Sequence, residues 1–240
     1  EDLGPSTCLQ VADDGNVDAL VEKAIDQLLR LQAIACPPGL PAYDHALLAR
    51  ELGLFREWFL QRHLGVALDG DGDAALAGVE ALLVDAALAQ PQVLVHRDFM
   101  LRNLMPVAGG PAVLDFQDAV RGPIAYDPAC LFKDAFVSWP ERRVANWHGR
   151  YHALATRAGL PVPPLEHFRR DLDLIGVHRH LKVLGIFARL KHRDGKPKYI
   201  VDAPRFIAYL DAVLPRHPGL APLAALLDAR VRPAMAAAEP

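Results

Sequence analysis

Apolar residues recur at helical spacing through most of this chain and contract to short strand-like runs near its middle. Between Val17 and Ala35, the residues Leu20, Val21, Ala24, Leu28, Leu31 and Ile34 fall on one helical face. Asn16 is the expected N-cap and Cys36-Pro37-Pro38-Gly39 the stop. A second helix is predicted from about Tyr43 to His63, burying Leu47, Leu48, Leu54, Trp58 and Phe59, and a third, rich in Ala and Leu, from about Asp73 to Ala89. Gln92 to Val95 then reads as a strand. Leu104 to Val107 and Ala112 to Asp115 are two more short runs, and Gly109-Gly110 between them marks a hairpin. Helical periodicity returns after Asp127, which is placed as an N-cap with Pro128 at the first helical position. Helices follow from about Glu141 to Ala158, Leu165 to Lys191, Arg205 to Leu214 and Leu220 to Arg230. The long third-last pattern contains Gly176 and Gly185, either of which could break it at about 1 kcal/mol relative to Ala. Pro233 to Pro240 is a low-complexity tail, expected to be flexible. The pattern predicts an α+β chain: one predominantly helical lobe over residues 5–232, carrying a small β-hairpin.

Composition narrows the classes. At 240 residues and 52% hydrophobic content, the chain can bury a sizeable core, and a formal net charge of -3 offers no basic footprint for nucleic acid or anionic membrane. Cys8, Cys36 and Cys130 show no CxxC spacing, so neither a disulfide framework nor a zinc site is expected, and a reducing cytoplasm fits. No apolar run approaches the roughly 18 residues of a membrane span, and the N-terminal residues lack a signal-peptide pattern. Asp69 to Asp73, with alternating Asp and Gly, lacks the distal Glu of a calcium loop and reads as an inter-helix turn.

The hairpin region carries the chemistry. If residue 104 lies opposite 115, Asn103 and Asp115 emerge side by side, with Asp98 on the loop before them. A carboxylate and an amide oxygen suit Mg²⁺, a hard cation that keeps water and phosphate oxygens in its shell. The third group, Asp98, is then free to take a proton from an attacking hydroxyl. Arg102, beside Asn103, is either a phosphate contact or a surface ion pair. Asp118 is either a substrate contact or a loop-bonding group. The face of the longest helix with His178, Arg179, Lys182, Arg189, Lys191 and His192 is expected to be solvated.

His96-Arg97-Asp98, Asn103 and Asp115-Phe116 together resemble the catalytic and metal loops of the kinase-like phosphotransferases typified by aminoglycoside and choline kinases. Gln117 stands where protein kinases have Gly, which points to the small-molecule branch. HRDFMLRNLM, LDFQDAVRGPIAYD and LIGVHRHLKVLGIFARLKHRDGKP are more narrowly similar to bacterial anomeric sugar kinases. That resemblance implies a protein-kinase-like fold and a cytoplasmic bacterial enzyme using ATP and Mg²⁺. It implies phosphorylation of the C1 hydroxyl of N-acetylmuramic acid or N-acetylglucosamine in cell-wall recycling. It makes Asp98 the base, Asn103 and Asp115 the metal ligands, and His96 and Asp127 supports of the catalytic loop. Residues 1–4 become a hinge remnant, with Glu1 and Leu3 on the nucleotide and an N-terminal lobe missing, so that the chain corresponds to a C-terminal lobe. Arg179 or Lys182 could reach an acceptor carboxylate. Alternatives are a kinase for an aminoglycoside, choline or an amino alcohol, and a catalytically silent module of the same fold. Oligomeric state is left open.

Overall fold

The computed structural model describes residues 3–238. In chain order the elements are α1 (Cys8–Val11), α2 (Val17–Gln32), α3 (His45–Leu54), which runs on as a π-helical stretch over Phe55–His63, and α4 (Gly70–Leu88). Strands β1 (Gln92–Val95), β2 (Leu104–Met105), β3 (Ala112–Val113) and β4 (Val120–Pro123) follow. Helices α5 (Tyr126–Phe132), α6 (Glu141–Arg157), α7 (Leu165–His192), α8 (Ala203–Val213), α9 (Ala221–Leu226) and α10 (Arg232–Ala238) complete the chain. These elements group into two compact units: residues 3–43 with 88–173, and residues 44–87 with 174–238. Periodicity reports which positions are buried, not which partner buries them, so a division built from non-contiguous segments leaves no mark in the pattern.

In the first unit β1 pairs antiparallel with β4, from Gln92↔Pro123 to Val95↔Val120, and Ala42 bridges to Arg121. Gly122 is needed there because a Cβ would lie 3.1 Å from Cβ of Tyr43. Val21, Ala24, Ile25 and Leu28 form the buried face of α2, which packs on β1 and α6. Val21, Ile25 and Leu28, fully buried, each contribute about 1.5–3 kcal/mol. A buried polar link ties this layer together. The Tyr151 hydroxyl donates to Gln32 Oε1, and Gln32 Nε2 donates to the Ile124 carbonyl at 3.0 Å. Asn16 occupies the N-cap position of α2 without capping through its side chain, which instead donates to the Val11 carbonyl at 2.8 Å and accepts from Asp13 N–H at 2.9 Å. The short α1 escaped the periodicity, yet Thr7 and Gln10 form a full capping box at its start.

The hairpin exists with a different register. Leu104 pairs with Val113 and Met105 with Ala112, two positions short of the expected partner of Leu104. Gly109 and Gly110, at φ 95° and 120°, lengthen the turn by adopting conformations other residues avoid. Asp115 therefore projects beyond the paired strands, in a left-handed conformation of its own at φ 68°.

In the second unit, Asp44 caps α3 by accepting from Leu47 N–H at 2.8 Å. Asp69 does the same for α4, accepting from Gly72 N–H at 2.8 Å, so the Asp/Gly run opens the helix instead of preceding it. Helix α7 is unbroken at Gly176 and Gly185. At Gly185 the reason is close approach: a Cβ would meet the Leu54 backbone carbon at 2.4 Å. The face expected to be solvated is partly interior. His178, Arg179 and Lys182 are buried, Lys182 pairs with the equally buried Glu51 at 2.9 Å, and His178 Nε2 lies 3.1 Å from the Leu48 carbonyl. Residues 233–238, expected as part of a flexible tail, lie in the helix Arg232–Ala238, consistent with the high helix propensity of its alanines. No helix among the described residues is long and apolar enough to cross a membrane.

Candidate active site

The site is built on the loop that leaves β1. His96 follows the strand, and Arg97 turns the chain with a left-handed backbone, φ 76°, that costs a non-glycine residue about 1–3 kcal/mol. Asp127, wholly buried in the first turn of α5, holds that turn. Its two carboxylate oxygens accept from His96 N–H at 2.7 Å and Arg97 N–H at 2.9 Å. Asp127 thus braces the loop rather than capping α5, as its position before Pro128 had suggested; the N-cap residue is Ala125. The Arg97 guanidinium lies 5.3 Å from the Tyr43 ring centre and donates to the Asp118 carbonyl at 3.3 Å.

His96 is buried, and its two ring nitrogens face groups of fixed character. Nε2 is 2.9 Å from the Leu114 carbonyl, which can only accept, and Nδ1 is 3.3 Å from the Asp98 N–H, which can only donate. The ring is therefore the neutral Nε2–H tautomer. Burial lowers its pKa, against the opposing effects of the Leu114 hydrogen bond and the Asp98 and Asp115 charges. The histidine links the loop to the end of the hairpin, with its one ring proton directed at the Leu114 carbonyl.

Asp98 is half-buried and its carbonyl accepts twice, from Met100 N–H at 3.0 Å and from Asn103 Nδ2 at 2.9 Å. The second bond orients the Asn103 amide, since only its nitrogen can face a carbonyl, and Oδ1 is turned to other use. The Asn103 carbonyl accepts from Leu114 N–H at 2.9 Å, which brings the residue preceding Asp115 against Asn103. Asp115 is exposed, and Gln117 Nε2 donates to its Oδ1 at 2.7 Å. Two oxygen donors on one hairpin could hold a hard divalent cation that completes its shell with water and phosphate. Among the described residues there is no cluster of three or more His, Cys, Asp or Glu that could hold a metal without such help.

The sequence profile of the phosphotransferase enzyme family matches residues 1–156, well over half the chain. The chain belongs to that family. The chain is 55% identical over 227 residues to the N-acetylmuramate/N-acetylglucosamine kinase of Pseudomonas aeruginosa. That alignment takes in 94% of this chain and 67% of the relative. It is 46% identical over 231 residues to the protein of the same name from Neisseria meningitidis, with 94% of this chain and 69% of that one covered. The chain thus spans about two thirds of the length of the curated relatives it matches. The fold is also similar to that of choline kinase from Cryptosporidium parvum, with a TM-score of 0.58, 13% identity, and coverage of 95% of this chain and 70% of that one. The family assignment and the protein-kinase-like, mostly helical fold agree with the motif resemblance.

Family membership leaves the other candidates where the structure puts them. Arg102 is exposed with its guanidinium 4.5 Å from the Phe136 ring centre, and it makes no ion pair among the described residues. Asp118 is exposed. Arg179 and Lys182 belong to the second unit, in the buried surroundings already described. Leu3 is half-buried, and Glu1 lies outside the described residues. Sequence reasoning missed the Leu114 carbonyl, a backbone acceptor with no spelling of its own, and Gln117 as the donor that orients Asp115. It also missed Tyr43 beneath Arg97, which read only as the start of a helix.

Proposed function

We propose that this chain carries the catalytic loop of an Mg²⁺-ATP-dependent kinase. Its acceptor is the anomeric C1 hydroxyl of N-acetylmuramic acid or N-acetylglucosamine, in bacterial cell-wall recycling. The observation that supports this most is the retention of Asp98, Asn103 and Asp115 on one braced loop and hairpin, in a chain 55% identical to a kinase named for those sugars. Asp98 orients the acceptor hydroxyl and takes its proton, a contribution of about 10²–10⁴-fold to the rate. Asn103 Oδ1 and the Asp115 carboxylate hold the cation. When bound, Mg²⁺ would supply positive charge that offsets charge on the transferring group. His96 and Asp127 keep the loop in place. Arg102 and Asp118, both exposed near these groups in sequence, are the phosphate and acceptor contacts that remain most available; Arg179 and Lys182 are assigned to the acceptor side, and Glu1 and Leu3 to the nucleotide, by family resemblance. A reducing cytoplasm suits Cys8, Cys36 and Cys130, which form no disulfide among the described residues.

The test is a pair of variants in the full-length protein. Asp98→Asn abolishes turnover while nucleotide binding survives, and Asp115→Ala loses the metal-dependent part of nucleotide affinity. Full turnover by Asp98→Asn would overturn the assignment of the base.

A further inference from the structure

Asp134 has no part in the chemistry above, yet it is wholly buried, and both its oxygens are committed to backbone N–H groups. One accepts from Leu101 at 3.3 Å and the other from Phe136 at 2.8 Å. Burying a carboxylate is expensive unless such bonds compensate it. Leu101 opens the 3-10 turn Leu101–Asn103, the segment that presents Asn103. Phe136 supplies the ring on which the Arg102 guanidinium rests. The catalytic loop is thus held on both sides of Asp98. Asp127 takes the two N–H groups just before it, and Asp134 takes one three residues after it. Both aspartates come from α5 and the turn that ends it.

We propose that Asp134 is a positioning residue for phosphotransfer. It fixes the turn that points Asn103 at the divalent cation and, through Phe136, fixes the place of the Arg102 guanidinium. This rests on the kinase reading of the same loop. It differs from a purely structural role in what it predicts: loosening the turn moves a metal ligand, so metal dependence changes before global stability explains anything. Support of this kind behind a metal ligand is commonly worth about 10–100-fold in metal affinity or activity.

The experiment uses the full-length protein, with Asp134→Asn as the primary variant because it keeps the shape of the side chain, and Asp134→Ala beside it. Two quantities are measured. The first is amide hydrogen exchange at Leu101 and Asn103 without nucleotide, against amides of α6 as reference. The second is the Mg²⁺ concentration giving half-maximal turnover with N-acetylglucosamine. In Asp134→Asn, exchange at Leu101 is expected to speed at least about 10-fold while α6 is unchanged. The Mg²⁺ requirement should rise about 10–100-fold, with the KM for the sugar within about twofold. Wild-type protection of Leu101, or an unchanged Mg²⁺ requirement in folded Asp134→Asn, would overturn the proposal. Absence of Mg²⁺-dependent phosphotransfer in the unsubstituted protein would instead overturn the kinase reading, and the positioning role with it.

Discussion

Replacing Asp127 by Ala should be the most destabilising single change near the catalytic loop. Its carboxylate is wholly buried and accepts two backbone hydrogen bonds, from His96 N–H at 2.7 Å and Arg97 N–H at 2.9 Å. Hydrogen bonds to a charged group contribute about 1.5–3 kcal/mol each, and removal of the acceptor leaves two N–H groups buried without partners. Part of that loss is recovered, because Arg97 can relax from its left-handed backbone, φ 76°, and shed about 1–3 kcal/mol of strain. The net expectation is a loss of about 2–3 kcal/mol for Asp127→Ala, the two lost bonds less the strain recovered. For Asp127→Asn about half of that is expected, since the amide oxygen serves one N–H while its NH₂ faces the other. The assay is equilibrium urea unfolding, with the change read from the midpoint at constant slope. An unfolding free energy for Asp127→Ala within about 1 kcal/mol of the parent would refute the bracing role and with it the account of why Arg97 adopts its conformation.

Other expectations can be checked alongside. Gly185→Ala should destabilise by about 1–3 kcal/mol, because the new methyl group would meet the Leu54 backbone; helix propensity alone predicts a gain of about 1 kcal/mol, so the sign of the measured change decides. His63 has its pKa pushed down to about 4 by burial, then by the Lys191 and His192 charges. The unfolded chain takes up that proton near the ordinary value of 6.5, so stability should fall as pH drops from about 6.5 towards 4 and then level off. Urea midpoints across that range should show a shallower slope in His63→Gln, and an identical slope would count against the assignment. Asp98→Asn should bind nucleotide and fail to turn over.

Much of this was readable from the residues, and what was not has physical reasons. Helix cores followed from apolar spacing, and β1 was placed to the residue because Gln92–Val95 is a short apolar run between a Pro and the catalytic motif. The hairpin was readable from Gly109-Gly110, but its register was not: turn length depends on the backbone angles of the glycines, and a two-residue shift preserves the inside–outside pattern. Lys182 was placed on a solvated face because its helix carries a dense row of charges there, and only the fold shows it buried against Glu51. The groups proposed for catalysis stand out in the sequence because phosphotransfer chemistry restricts residue type and spacing. Their supports were less so: Asp134, like the Leu114 carbonyl, acts on backbone groups, and such contacts leave no fixed partner in the sequence. Asp127 was visible only as a plausible cap beside Pro128, although the family resemblance pointed to its second role.

The most direct test is to incubate the full-length protein with Mg²⁺-ATP and, separately, N-acetylmuramic acid, N-acetylglucosamine, an aminoglycoside and choline, following products by phosphorus NMR. The account predicts Mg²⁺-dependent formation of ADP with a new phosphate on C1 of an N-acetylated sugar, and none of it in Asp98→Asn. Phosphorylation of the aminoglycoside or choline in preference to either sugar would contradict the assigned acceptor, and a sugar phosphate formed equally well by Asp98→Asn would contradict the assigned chemistry.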